Sequence, residues 1–201
     1  MYYQESGTLS VKGILYTLSA GIAGAAVLGA VYAYASYFIP FIYLNLILCG
    51  LFGTGVGGLV GKASYLGEVR NQNFIMAIAV SCALLAMYLA WIFWLHALTN
   101  MEILDFSPGY ILDMMSLLSV DGVWSIFGAT PTGFGLYVVW FIEALIVVIA
   151  ALVLALGSSG REPYCEDCEN WTKEMNQTVG AEPITNPIAL ISSLEQRDVS
   201  M

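Results

Sequence analysis

FGLYVVWFIEALIVVIAALVLAL, residues 134–156, is the stretch that decides the fold: an apolar run interrupted by one charged side chain, Glu143. A transmembrane helix needs ~20 predominantly apolar residues, because each residue advances ~1.5 Å through a hydrocarbon core ~30 Å thick. Three further apolar runs of similar length stand at about 13–36, 39–61 and 74–97. The sequence therefore predicts an all-α membrane protein, a bundle of four transmembrane helices.

The composition points to a membrane-embedded chain. The 201 residues are 59% hydrophobic and only 10% charged, whereas soluble domains are about 45–50% apolar and about 25% charged. A water-soluble fold of this size has too much surface to hide so much apolar material, so a lipid bilayer is the expected surrounding. The net charge of −9 and the lack of any basic cluster exclude nucleic acid as an expected partner.

Lysine and arginine predict the orientation, because cytoplasmic loops carry an excess of them. In a four-span topology all six basic residues fall on one side, which predicts both termini in the cytoplasm. A transmembrane domain over 1–157 is expected to include an outer cap at 98–133. A cytoplasmic acidic tail follows at 158–201, and its distal part is predicted to be disordered. The basic residues are Lys12, Lys62, Arg70, Arg161, Lys173 and Arg197.

The outer cap contains a helix signal. Ser107 followed by Pro108 is typical of a helix start, with serine as the N-cap and proline at the first helical position. Apolar residues then recur at helical spacing on one face: Ile111, Met114, Met115 and Leu118. We expect a short interfacial helix between the third and fourth spans. It is interpreted as a lid over the bundle or as a pore-lining element.

Glycines at four-residue spacing mark close helix packing. Gly53, Gly57 and Gly61 lie on one face of the second span, and Gly21 and Gly29 on one face of the first. Small residues at this spacing let two helix backbones approach closely. The preferred interpretation pairs the first and second spans with each other within one chain. The alternative is a seam between copies of the chain, and a homo-oligomer is expected.

Glu143 is the one acidic residue inside an apolar span. It lies nine residues into the fourth span, ~13 Å from its outer end at 1.5 Å per residue. A carboxylate at that depth is costly, so it should face the bundle interior. Asn45 in the second span is a predicted hydrogen-bond partner; Tyr16, Tyr43 and Tyr88 are alternative partners, depending on the rotation of their helices. The pair is either a structural hydrogen bond between two helices or a site for a proton, a cation or a substrate.

The tail carries a Cys-x-x-Cys knuckle, Cys165 and Cys168. Two thiolates at this spacing are half of a structural zinc site, which needs four ligands. The other two would have to come from a second copy or from a cytoplasmic protein partner. Redox chemistry is less favoured, because the flanking acidic residues disfavour a reactive thiolate.

Several segments together resemble a group of uncharacterised bacterial four-helix membrane proteins. These are YYQESG at 2–7, IPFIYLN at 39–45, VRN at 69–71, DGVWSI at 121–126, WFIEA at 140–144 and the CEDC knuckle at 165–168. The resemblance implies a multi-pass protein of the bacterial inner membrane. It carries no activity and assigns no functional residue.

No paired acids, histidine-rich metal set or nucleophile–base pair stands out in the sequence. The first expectation for function is therefore a non-enzymatic membrane protein that self-assembles through its glycine faces and engages a partner through its tail. The alternative is a small transporter or ion channel with Glu143 and Asn45 in a polar intramembrane path.

Overall fold

The structure, a computed structural model, describes residues 6–39, 41–125, 128–159, 164–165 and 170–172. Within these ranges the chain forms five helices and one two-stranded hairpin. In chain order they are α1 (Val11–Phe38), α2 (Ile42–Leu66), α3 (Gln72–Leu98), α4 (Pro108–Asp121), α5 (Phe134–Ser158), β1 (Tyr164–Cys165) and β2 (Asn170–Trp171).

Four of these helices, α1, α2, α3 and α5, are long and apolar enough to cross a membrane. This confirms the predicted multi-pass, all-helical transmembrane fold. All four helices are longer than the predicted apolar runs, because backbone hydrogen bonding continues past the ends of those runs. One boundary differs at the start: α2 begins at Ile42 rather than at 39, with Phe41 as its extended N-cap residue.

Successive long helices run in opposite directions, so α1 and α3 are parallel, as are α2 and α5. At one end of the bundle Ser10 Oγ donates to the Gly67 carbonyl at 3.0 Å, and the Arg70 amide donates to the Thr8 carbonyl at 3.3 Å. We call this the basic end, since Lys12, Lys62 and Arg70 belong to it. The opposite end, where α1 and α3 finish and α2 and α5 begin, is the cap end.

Other helices of the same chain pack against both glycine faces, but these helices are not the predicted partners. On α2, a Cβ added at Gly57 would lie 2.7 Å from Ala151 Cα of α5, and one at Gly53 would lie 2.9 Å from Val147 Cα. On α1, a Cβ at Gly29 would lie 2.8 Å from the Ala86 carbonyl oxygen of α3. The predicted packing of α1 on α2 within one chain is confirmed, but its closest approaches are not between these glycine faces, which lie against α3 and α5.

The remaining predicted packing residues follow the same pattern. A Cβ at Gly61 would lie 3.0 Å from the carbonyl carbon of Ala155 on α5, and one at Gly21 would lie 2.5 Å from Cys82 Sγ on α3. Small side chains on α3 and α5 are what make these approaches short. The second face of α2 meets α1 less closely, through larger side chains such as Leu28 and Leu59.

One buried polar contact joins α1 to α2 near the basic end. Thr17 Oγ1 and Ser64 Oγ lie 3.2 Å apart, and both residues are fully buried. Each hydroxyl also lies 2.8 Å from the carbonyl oxygen one helical turn earlier, that of Gly13 or Val60. Since a hydroxyl has one proton, one of the two donates to its own carbonyl and accepts the hydrogen bond of the other. Because both hydroxyls then have a hydrogen-bond partner, the contact is compatible with an otherwise apolar core.

Helix α4 occupies the residues predicted for the cap helix. Ser107 Oγ accepts from the Tyr110 amide at 3.2 Å, as a capping serine does. Ile111 is buried against Ile92 and Leu95 of α3. The position of α4 at the outer interface of the bilayer stays a prediction.

The segment that precedes α4 is held to α3 by side chains. His96 Nδ1 lies 3.0 Å from the Ile103 carbonyl oxygen, and the Tyr88 hydroxyl donates to the Phe106 carbonyl. The single histidine of the chain therefore contacts the segment between α3 and α4. These contacts keep that segment close to the end of α3.

The tail forms a compact unit of its own, Tyr164–Met201. Its described part is an antiparallel pairing of β1 with β2, in which Tyr164 pairs with Trp171 and Cys165 with Asn170. The rings of Tyr164 and Trp171 meet edge to face, with centroids 5.2 Å apart. Cys168 and the predicted disordered stretch lie outside the described residues.

Candidate functional site: a carboxylate in an aromatic cavity

Two ladders of residues at four-residue spacing bring the polar intramembrane residues together. On α2 the ladder is Asn45, Cys49, Gly53, Gly57 and Gly61; on α5 it is Glu143, Val147, Ala151 and Ala155. The small residues pair in register, Gly53 with Val147, Gly57 with Ala151 and Gly61 with Ala155. Because residues four apart share one helix face, the same register continued one turn towards the cap end places Glu143 opposite Cys49. Asn45, one further turn along α2, reaches Glu143 through its side-chain amide.

A chain of hydrogen bonds ends on Glu143. Asn45 Nδ2 donates to Glu143 Oε1 at 2.8 Å, and the Tyr32 hydroxyl of α1 donates to Asn45 Oδ1 at 3.3 Å. Cys49 Sγ lies 3.0 Å from the Tyr32 hydroxyl oxygen. If the hydroxyl proton points to Asn45, Cys49 is the donor in that last contact. All donors then point towards Glu143, and each bond in such a chain polarises the next.

Glu143 lines a cavity of about 270 Å³. The cavity extends from Glu143 to the cap end of the bundle, where Ile39, Leu98 and Val123 border it. Ligand sites in proteins are commonly concave, mostly apolar, and carry a few convergent polar groups. This cavity has that character, with Glu143 and Asn45 as its deep polar pair.

Aromatic rings form much of the cavity wall. Eight of its seventeen lining residues are aromatic, including four of the five tryptophans in the chain. Trp91 of α3 meets Trp140 of α5 edge to face with centroids 5.1 Å apart, and meets Trp94 likewise at 5.7 Å. These edge-to-face contacts pack the rings against one another.

A second pair of rings positions the hydrogen-bonded chain. Tyr32 stacks on Phe52 of α2, with centroids 4.7 Å apart and planes 5° apart. This stacking orients the Tyr32 hydroxyl towards Asn45 and Cys49 while its ring lines the cavity. Tyr32 therefore joins the aromatic wall to the polar pair.

The cavity has one carboxylate and no basic partner for it. Glu143 is the only acidic residue among the lining residues that the structure describes, and no Lys, Arg or His is among them. An ionised carboxylate in an apolar, membrane-embedded site is compensated by its hydrogen bond and by whatever cation or proton it binds. The arrangement can therefore bind a proton or a cation; it offers nothing to an anion.

Towards the basic end, the lining of the cavity stops at Phe52 and Val147, and one helical turn further Val56 and Ala151 are almost fully buried. From there to the basic end the helices pack through the glycine ladder described above. Close-packed helices therefore separate Glu143 from the basic end.

The other predicted site residues lie elsewhere. The five glycines lie in helix–helix contacts rather than in the cavity. Cys165 lies in β1, in the separate tail unit, and its predicted zinc partner Cys168 is outside the described residues. In the part of the chain that the structure describes, no group of three or more His, Cys, Asp or Glu side chains is placed to hold a metal ion.

Two members of the site were missed from the sequence. In the sequence, Cys49 stands inside an apolar run, as a small buried hydrophobe does, and Tyr32 is one of several aromatics near the end of the first span. A signal for Cys49 exists: it stands four residues from both Asn45 and Gly53, and so belongs to the same face as the glycine ladder. Nothing in the sequence around Tyr32 indicates that α1 approaches α2 at that height.

No protein-family model, curated protein or solved structure matches this chain. Function is therefore inferred from the cavity and its carboxylate.

Proposed function

We propose that this chain is a small membrane transport protein, with Glu143 and Asn45 as the central site of a solute path. The observation that carries the proposal is the hydrogen-bonded carboxylate at the inner end of a cavity that reaches the cap end. A charged side chain placed inside a membrane-spanning helix is costly, and such residues commonly mark ion, proton or substrate paths.

The packing favours a carrier over an open channel. A channel needs a continuous path, whereas here the glycine ladder closes the bundle between Val147 and the basic end. A carrier alternates between states that are open to one side at a time. The observed arrangement corresponds to one such state, accessible from the cap end.

The proposed orientation follows from the basic residues. Lys12, Lys62 and Arg70 belong to the end opposite the cavity mouth, and positive residues favour the cytoplasmic side. The cavity would then face the outside and both termini the cytoplasm. We propose the bacterial inner membrane as the location, from the resemblance described above.

Self-assembly through the glycine faces has less support. All five predicted packing glycines are covered by α3 or α5 of the same chain, so those faces are not exposed for a second copy. An oligomer would have to use other surfaces, such as the exposed apolar faces of α1 and α5. A cytoplasmic partner or a shared zinc ion at the tail remains a separate proposal.

Reconstituted vesicles test the transport proposal. Purified full-length protein is incorporated into liposomes, and the movement of H⁺, Na⁺, K⁺ and choline is followed under imposed gradients. We expect flux of at least one of these cations through the wild type and its loss in Glu143→Gln, which keeps the shape but removes the charge. Asn45→Ala should reduce the flux, because Glu143 then loses its 2.8 Å donor.

Glu102→Gln is the matched control. Glu102 is exposed and does not line the cavity, so the same chemical change there should leave flux at the wild-type rate. A wild type that moves none of the four cations faster than empty vesicles would overturn the proposal. Equal flux through the wild type and Glu143→Gln would overturn the assigned role of the carboxylate.

A further inference from the structure

We infer that the cavity recognises a small organic monocation with an alkylated ammonium head, rather than an inorganic metal cation. The inference rests on the proposed function, because it names the substrate class of that same site. Three features of the cavity carry it: a single carboxylate, a wall rich in aromatic rings, and a shortage of oxygen ligands.

The charge of the cavity selects the sign and number of charges on the ligand. When ionised, Glu143 supplies one negative charge, and no basic side chain among the lining residues offsets it. A monocation would neutralise the site, whereas a dication would leave one charge uncompensated in an apolar surrounding. An anion would bring a second negative charge next to the ionised carboxylate of Glu143.

The aromatic wall selects an alkylated ammonium ion. The faces of tryptophan and tyrosine rings attract cations, and alkylated ammonium groups are the ligands that aromatic cages recognise. Trp91, Trp94 and Trp140 form one connected cluster on the wall, and Tyr32 lies on the same cavity beside the hydrogen-bonded pair. A cation near Glu143 therefore has tryptophan and tyrosine rings among its neighbours.

The oxygen ligands are too few for a bare metal cation. Hard cations such as Ca²⁺ and Mg²⁺ take about six or more oxygen ligands. Besides the carboxylate, the polar side chains of the lining are Asn45, Ser36 and two tyrosines, and Asn45 Oδ1 already accepts from Tyr32. A metal cation would lose most of its hydration shell without replacement, whereas an alkylated ammonium ion is only weakly hydrated.

The volume limits the size of the ligand. The cavity has a volume of about 270 Å³. This is just below the range of about 300–1,000 Å³ that is typical of small-molecule sites. Choline, with seven non-hydrogen atoms, is therefore a suitable probe, and 3,3-dimethylbutan-1-ol is its neutral counterpart of the same shape.

Direct binding tests the inference. Binding of tritiated choline to the purified full-length protein is measured by scintillation proximity, with 3,3-dimethylbutan-1-ol, KCl and NaCl as competitors. We expect saturable binding, and competition by the neutral alcohol at least about tenfold weaker than by unlabelled choline. Glu143→Gln should weaken choline binding at least about tenfold, and Glu102→Gln should not change it.

The aromatic contribution is tested separately. Trp91→Leu should weaken choline binding by about 2- to 30-fold, the range expected for loss of one cation–π contact. Trp91→Phe, which keeps a ring, should lose less. Trp171→Phe, in the tail, is the matched control and should bind choline as the wild type does. Equal affinity in Trp91→Leu and Trp91→Phe would contradict a role for the ring.

The outcomes separate this inference from the proposed function. Glu143-dependent flux of H⁺, Na⁺ or K⁺ without saturable choline binding would overturn the substrate class and leave transport standing. Equal competition by choline and the neutral alcohol would show an apolar pocket with no preference for charge, and would also overturn the substrate class. Absence of both choline binding and any Glu143-dependent flux would overturn both.

Discussion

Replacing Gly57 with alanine should destabilise the bundle far more than the same change at Gly50, although both residues lie in α2. A Cβ added at Gly57 would lie 2.7 Å from Ala151 Cα of α5, whereas one added at Gly50 meets no atom within 4 Å. Ordinary contacts of a Cβ atom begin at 3.4 Å. The neighbour at Gly57 is backbone, so α2 and α5 must move apart to admit the methyl group.

The expected difference in melting temperature between the two variants follows from two effects of the added methyl group. At both positions alanine favours the helix by about 1 kcal/mol relative to glycine, so this contribution cancels between the variants. Overpacking of a well-packed contact costs about 1–3 kcal/mol and applies at Gly57 alone. Since 1 kcal/mol shifts Tm by about 2–4 °C in a chain of this size, Gly57→Ala should melt about 2–12 °C below Gly50→Ala.

Thermal unfolding in detergent, followed by intrinsic tryptophan fluorescence, measures this difference. Four of the five tryptophans line the cavity, so the signal reports the bundle itself. Gly57→Leu should melt lower still, because its longer side chain needs a wider separation. Equal melting temperatures for Gly57→Ala and Gly50→Ala would refute the in-register packing of α2 on α5, and with it the explanation for the meeting of Glu143 and Asn45.

Three further predictions concern other parts of the chain. Thr17→Val removes the buried contact with Ser64 and should lower the free energy of unfolding by about 0.6–1.7 kcal/mol, the range for interhelical hydrogen bonds in membranes, measured by detergent unfolding. Tyr88→Phe removes the donor to the Phe106 carbonyl and should speed amide hydrogen exchange over residues 99–107 without changing α3. If two copies share a zinc ion, metal analysis should find about 0.5 zinc per chain, and Cys165→Ser should contain none.

Matched substitutions control these three experiments. Thr54→Val removes a hydroxyl that donates only within α2 and should change stability less than Thr17→Val; equal losses would contradict the interhelical role. Tyr16→Phe, on α1, should leave exchange over 99–107 unchanged. Cys82→Ser should keep the zinc content of the wild type, and a zinc-free wild type would rule out the shared site.

Much of the fold follows from local properties of the chain. Four long apolar runs predict four spanning helices, because a bilayer core leaves each backbone group no partner outside its own helix. Helix α4 in the cap was also predicted from the sequence. Its start depends only on local interactions, because Ser107 is the N-cap and Pro108 the first helical residue. Glycine spacing correctly marked which faces approach a neighbour. It could not identify that neighbour, because each of the four long helices is apolar and presents small residues.

The partner of each face was decided by the tertiary structure. Helices in a bilayer associate through the fit of their whole surfaces rather than through hydrophobicity. Here the alanines of α5, and not the residues of α1, pack against the glycines of α2. The sequence alone determined that a carboxylate lies within a candidate membrane-spanning helix, since Glu143 is the one charged residue of a long apolar run. Only the register of α2 on α5, and the approach of α1 with Tyr32, made that carboxylate the inner end of an aromatic cavity.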